Sequence, residues 1–174
     1  MTDKVLTAFL ERQREDGMAL AAASHLLDLA PLEPAPCQRY LAGFRCTGLI
    51  RGEAGGVTTA DRFLVGIWFP DQYLREADPS RVLAWIAPQQ VFHPNVRPPF
   101  ICVGHLAPGT PLVDLLYRCF EIITWNRVTM REDDALDRDA CRWARNNQDR
   151  LPVDRRPLKR RRVELGVEPL EVNR

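Results

Sequence analysis

Between Pro88 and Pro111 the chain reads "PQQVFHPNVRPPFICVGHLAPGTP", a run that fits neither a helix nor a strand. Proline fixes φ and removes a backbone donor, so Pro94, Pro98, Pro99 and Pro108 each interrupt regular hydrogen bonding. A patternless run of this length inside a compact domain is usually functional. Any fold this chain adopts must therefore carry the run as an ordered loop between regular elements. The same run places Cys102 seven residues after Asn95, with a Pro-Pro pair between them.

The flanking segments show clear periods. At the N-terminus, Val5, Leu6, Phe9 and Leu10 form a helical stripe with Thr2 as its cap. Gly17 is expected to break this helix, and a second helical run extends from Met18 to Leu29 before Ala30-Pro31. "APLEPAPC" is a connector. From Tyr40 to Arg51 the period drops to two, with Tyr40, Ala42, Phe44, Cys46 and Ile50 on one face. "RGEAGG" is a turn. Phe63, Val65, Ile67 and Phe69 alternate again up to Pro70, and Val82 to Ile86 make a third short strand. Short connections between consecutive strands predict an antiparallel meander.

After the loop, Thr110 as cap and Pro111 at the first position open a helix that buries Leu112, Leu115, Leu116, Cys119, Phe120 and Ile123. "NRVTMREDDALD" reads as a polar loop and Arg138 to Asn147 as a last amphipathic helix. The order predicts an α+β domain, an antiparallel sheet with helices on one face, over residues 1–150. Residues 151–174 form a basic C-terminal extension without periodicity, carrying Arg155, Arg156, Lys159 and Arg160–Arg162 directly after Arg150.

Composition narrows the function. With 174 residues, 45% apolar and 27% charged, the chain has enough length and hydrophobicity for a real core. A net charge of +1 makes nucleic acid an unlikely partner. The first residues lack a secretory pattern and no apolar run approaches the ~18 residues of a membrane span, which predicts a cytoplasmic protein. Five cysteines without a C-x-x-C pair predict reduced thiols, with no disulfide and no zinc. No glycine-rich phosphate loop is present, so no cofactor is expected and any ATP chemistry belongs to a partner. Lysine occurs only at Lys4 and Lys159, a bias that a GC-rich genome explains.

Several pieces in register resemble the ubiquitin-conjugating enzymes. "FLVGIWFPDQY" sets Phe69, Pro70 and Tyr73 at that family's spacing, and "VLAWIAPQQVFHPNV" leads a strand into His-Pro-Asn. "FICV" follows with an Ile-Cys pair, and "EDDALDRDACRWARNN" is similar to the family's acidic loop and following helix. The resemblance covers about residues 40–147. It implies the ubiquitin-conjugating fold, and a Cys102 that accepts a ubiquitin-like protein as a thioester from an activating enzyme and passes it to a substrate amine. It also implies that Asn95 stabilises the oxyanion, that Asp133 is the foremost acid facing the incoming lysine, and that His93 and Pro94 brace the loop.

The Asn95–Cys102 gap is one residue shorter than the family's usual one. The tryptophan that usually follows the cysteine is missing, and "VGHLAPGTP" makes a short loop. Such divergence resembles bacterial conjugation systems, several of them antiviral.

The residues alone leave other roles open. Asn95 can close its loop by bonding backbone, and Asp133 and Asp134 can simply favour the start of the next helix. A cysteine hydrolase pairing Cys102 with His93 or His105 would explain the loop but not the order of elements. A module of the same fold with an idle cysteine, recruiting a ubiquitin-like protein or activating enzyme, is the main alternative.

Overall fold

The computed structural model describes residues 3–160. Asp3 begins it as the N-cap of helix α1 (Lys4–Ala22), its carboxylate accepting from the N–H of Val5 at 2.9 Å. Thr2, the expected cap, lies outside the described residues. The buried positions of α1 are Leu6, Leu10, Gln13, Gly17 and Leu20, a stripe of alternating four- and three-residue steps. Gly17 does not break the helix. A Cβ there would stand 2.6 Å from Leu112 Cδ2, so glycine is what allows close approach to the later helix carrying Leu112.

The expected second helical run is not formed. The chain turns after Ala22 and enters strand β1 (Leu27–Pro31), with Leu27 and Leu29 buried. β1 pairs antiparallel with β2 (Arg39–Phe44), Leu27 opposite Phe44 and Pro31 opposite Tyr40. The strand expected over Tyr40–Arg51 is two strands. β2 ends at Phe44, and β3 (Gly48–Arg51) forms a separate hairpin with β4 (Val57–Ala60) around the "RGEAGG" turn. The break falls where Arg45 turns its N–H to the carbonyl of Leu26.

β5 (Phe63–Trp68) returns beside β2, a four-residue helix α2 (Pro79–Val82) follows, and β6 (Leu83–Ala87) pairs with β5. The main sheet is thus four antiparallel strands in the order β1-β2-β5-β6. The predicted α+β class with an antiparallel sheet is what the chain forms.

One face of the sheet holds the core: Tyr40, Ala42 and Phe44 of β2, Phe63, Val65 and Ile67 of β5, and Leu83 and Trp85 of β6. After a small hairpin, β7 (Val96–Arg97) with β8 (Phe100–Ile101), helix α3 (Leu112–Ile123) lays Leu112, Leu115, Leu116, Cys119 and Phe120 against this face. Each such side chain, fully buried, contributes about 1.5–3 kcal/mol. Phe120 meets Phe44 with ring centroids 6.3 Å apart, and α1 packs against both α3 and β1.

The start of α3 departs from expectation. Pro111, not Thr110, is its N-cap, and the Thr110 hydroxyl instead donates to the Ala107 carbonyl at 2.6 Å. The buried N–H of Leu112 is satisfied by Gln13 Oε1 of α1 at 2.8 Å. The cap of one helix is therefore a side chain from another.

A 3-10 turn at Glu132–Asp134 leads into α4 (Arg138–Asn146), capped by Asp137. α4 covers a smaller cluster of Leu49, Phe92, Trp125, Ala140 and Ala144. Residues 151–160 follow as an irregular strap over the body. Asp154 donates its N–H to the Thr124 carbonyl at 3.1 Å, Leu158 is buried, and Arg160 donates to the Ala23 carbonyl at 2.9 Å.

Candidate functional site

The proline-rich loop begins as a satellite of the β3 hairpin. Arg51 N–H donates to the Gln90 carbonyl at 2.7 Å, and Phe92 N–H to the Leu49 carbonyl at 2.9 Å. This delivers His93 into the interior, where it is 2% exposed. Its Nδ1 accepts the Asn95 backbone N–H at 3.0 Å, so the neutral ring carries its proton on Nε2. Burial pushes the His93 imidazole down to about 3. Among the described residues Nε2 has no hydrogen-bond partner, and the ring lies against the Trp125 indole with centroids 4.3 Å apart.

Trp125 is itself held in an unusual backbone conformation. It follows the C-cap of α3 with φ 59°, where glycine normally stands. Its N–H donates to the Ile122 carbonyl, and the Asn126 N–H donates to the Glu121 carbonyl, closing the helix end. The left-handed cost of about 1–2 kcal/mol is offset by burying the indole against His93.

Pro94 and Asn95 form the hub of the site. The Pro94 carbonyl accepts from Leu136 N–H at 2.8 Å, which ties the end of the acidic loop to the motif. Asn95, 4% exposed, uses its whole amide. Nδ2 donates to the Cys102 carbonyl at 3.1 Å and to Thr129 Oγ1 at 2.9 Å, while Oδ1 accepts Thr129 N–H at 2.8 Å. The Cys102 N–H returns to the Asn95 carbonyl at 2.8 Å.

Cys102 directly follows β8. The hairpin that precedes it is closed by Pro98-Pro99 and hangs from the sheet edge by Trp85 N–H donating to the Pro99 carbonyl at 2.7 Å. Cys102 is the one half-buried cysteine; Cys37, Cys46, Cys119 and Cys141 are buried and all five are free thiols. Burial pushes the Cys46 and Cys119 thiols up to about 12. Beyond Cys102, Gly104 takes φ +78°, and a Cβ there would stand 2.9 Å from Arg127 Nη2. Arg118 Nη1 donates to the carbonyl of the exposed His105 at 2.8 Å.

The acidic loop divides by partner. Glu132 pairs with Arg142 and Arg145 at 3.2 and 3.5 Å, and Asp134 with Arg131 at 3.4 Å. Asp133 is exposed and makes no ion pair among the described residues. An open groove of about 890 Å³ separates the hairpin, with Arg97 and Phe100, from Leu136–Asp139.

The structure thus brings Cys102, Asn95, Pro94 and His93 onto one bonded loop, with the segment bearing Asp133 anchored to it through Leu136. Sequence reasoning missed Thr129, Trp125 and Arg127, which reach the loop from the far end of α3. Among the described residues no cluster of His, Cys, Asp and Glu is grouped as a metal centre requires, and no helix is long and apolar enough to cross a membrane. In comparison with known proteins, no family model matches the chain and no curated protein matches it.

Proposed function

We propose that the chain is a ubiquitin-like protein conjugating enzyme with a ubiquitin-conjugating fold. The observation that carries this reading is the pair of bonds between Asn95 and the Cys102 backbone, which fixes the one half-buried cysteine to a buried amide on a stiff loop. An activating enzyme presents the modifier as a thioester. The Cys102 thiolate attacks its carbonyl, expels the activating enzyme's thiolate and holds the modifier as a new thioester.

A substrate amine then attacks the same carbonyl. Its lone pair forms the C–N bond while the carbonyl π pair moves to oxygen, giving a tetrahedral oxyanion. Collapse of that oxyanion expels the Cys102 thiolate and leaves an amide. The amine's surplus proton passes to a base, for which the carboxylate of Asp133, unpaired among the described residues, is the candidate. Asn95 assists this transfer and His93 and Pro94 brace it. Direct donation by Asn95 to the oxyanion requires its amide to give up one of its present bonds. The setting we propose is a bacterial cytoplasm, with antiviral defence as the context.

One observation favours a second reading. Both Nδ2 hydrogens of Asn95 are already engaged, as expected of a loop brace in a module that recruits a ubiquitin-like protein or activating enzyme while its cysteine stays idle. A charging assay separates the two. The chain is mixed with ATP and the activating enzyme and modifier of its own system, then resolved on reducing and non-reducing gels. A thiol-sensitive band shifted by the modifier and absent in Cys102→Ala supports the enzyme. No band, with partners that charge each other, leaves the binding module.

A further inference from the structure

The geometry points to Arg127 as the group that meets the oxyanion formed at Cys102, an assignment that rests on the transfer chemistry proposed above. If Asn95 keeps its amide hydrogens on Cys102 and Thr129, the developing negative charge needs another donor. Arg127 leaves the end of α3 and lays its guanidinium over Gly104, two residues beyond the thiol. A Cβ at residue 104 would stand 2.9 Å from Arg127 Nη2, so the guanidinium lies directly over the glycine, and φ +78° at Gly104 turns the backbone there as glycine allows. The Arg127 side chain is exposed and makes neither a hydrogen bond nor an ion pair among the described residues. Two other polar groups near the loop are committed, His93 to the Asn95 N–H and Arg118 to the His105 carbonyl, and the exposed His105 ring carries no fixed charge like that of a guanidinium.

A guanidinium presents several N–H donors in a planar fork, is always charged, and suits an oxygen carrying negative charge better than an ammonium does. In the transfer step it gains nothing from the planar thioester and binds only as charge moves to oxygen, which is the condition for accelerating the reaction. Arg118, by donating to the His105 carbonyl at 2.8 Å, ties the segment just after Gly104 to α3.

Two experiments on the full chain decide this. The first needs no partner protein. Rates of Cys102 alkylation are measured with iodoacetate, an anion, and with neutral iodoacetamide, in wild type, Arg127→Ala and Arg127→Lys. A cation within reach of the thiol's reacting partner favours the anion, so Arg127→Ala lowers the iodoacetate-to-iodoacetamide ratio by about two- to fivefold, the size of an exposed ionic contact. Arg127→Lys retains part of the ratio, and about 1 M salt removes the difference between the variants. An unchanged ratio in Arg127→Ala overturns the assignment.

The second follows single-turnover discharge of the charged protein to free lysine. Arg127→Ala slows it by about tenfold, less than removal of a buried oxyanion donor because the guanidinium is exposed. Added methylguanidinium restores part of that rate, which a purely structural role would not allow. Wild-type discharge from Arg127→Ala overturns the oxyanion role. Failure of the wild type to charge at all removes the conjugation reading, while the alkylation ratio still decides whether Arg127 serves the thiol.

Discussion

Asn95 and Cys102 are tied twice, by Asn95 Nδ2 donating to the Cys102 carbonyl at 3.1 Å and by Cys102 N–H donating to the Asn95 carbonyl at 2.8 Å. The first tie continues to Thr129, so one buried amide joins the thiol loop to the segment behind α3. Asn95→Ala leaves the part-buried Thr129 N–H and Cys102 carbonyl short of partners. The expected loss is about 2–6 kcal/mol, at about 1–3 kcal/mol for each of the two unsatisfied groups. Urea unfolding at pH 7 measures it, and a loss below about 0.5 kcal/mol would show the bonds to be dispensable.

His93 makes stability depend on pH. Its folded-state value is pushed down to about 3 by burial, against an ordinary value near 6.5. Between those values the unfolded chain binds a proton that the folded chain does not, so stability falls as the pH drops below about 6.5. The slope is about 1.4 kcal/mol per pH unit. Comparing urea midpoints of wild type and His93→Phe between pH 7 and 5, above most carboxylate titration, isolates this contribution. Parallel curves for the two proteins would refute it.

Thiol chemistry in the native state is expected to be confined to one position. Cys102 is half-buried and the other four cysteines are buried, two of them with thiols near 12. Limited iodoacetamide at pH 7.5 should add one carbamidomethyl group, mapped to Cys102 by peptide mass. Labelling at Cys46 or Cys119 at a comparable rate would mean that the core opens more easily than its packing implies. In urea all five should react.

Gln13 makes a further test of the core. Gln13→Leu keeps the helix and the volume but leaves the Leu112 N–H without its acceptor. The expected cost is about 1–3 kcal/mol. The amide proton of Leu112 should also exchange faster by hydrogen-exchange mass spectrometry, whereas exchange in the middle of α3 should hold.

Legibility in the sequence followed the range of the interactions. Phe63, Val65 and Ile67 alternate because one face of β5 is buried, and that pattern survives in any reading of the chain. β1 did not declare itself, since Leu27 and Leu29 supply only two buried positions after an alanine-rich stretch that also suits a helix. The cap of α3 was misplaced because the acceptor for Leu112 lies 99 residues earlier. A trace was nonetheless present, for Gln13 stands in a stripe whose other members are leucine and glycine. At the site, the resemblance picked out Cys102, Asn95 and Asp133 by their spacing. Thr129 and Arg127 had no such mark, because they reach the loop only once α3 has docked.

The strap over residues 151–160 governs how the protein can be cut, joined or pulled. A boundary drawn after residue 150 would remove Leu158 from its buried slot and strip the Thr124 and Ala23 carbonyls of their donors. Shortened or fused versions therefore need residues through Arg160 to remain whole. Arg160, the last described residue, sits beside the end of α1 through its bond to the Ala23 carbonyl. Force applied there would load the Arg160–Ala23 bond first, then the Leu158 slot and the Asp154–Thr124 bond.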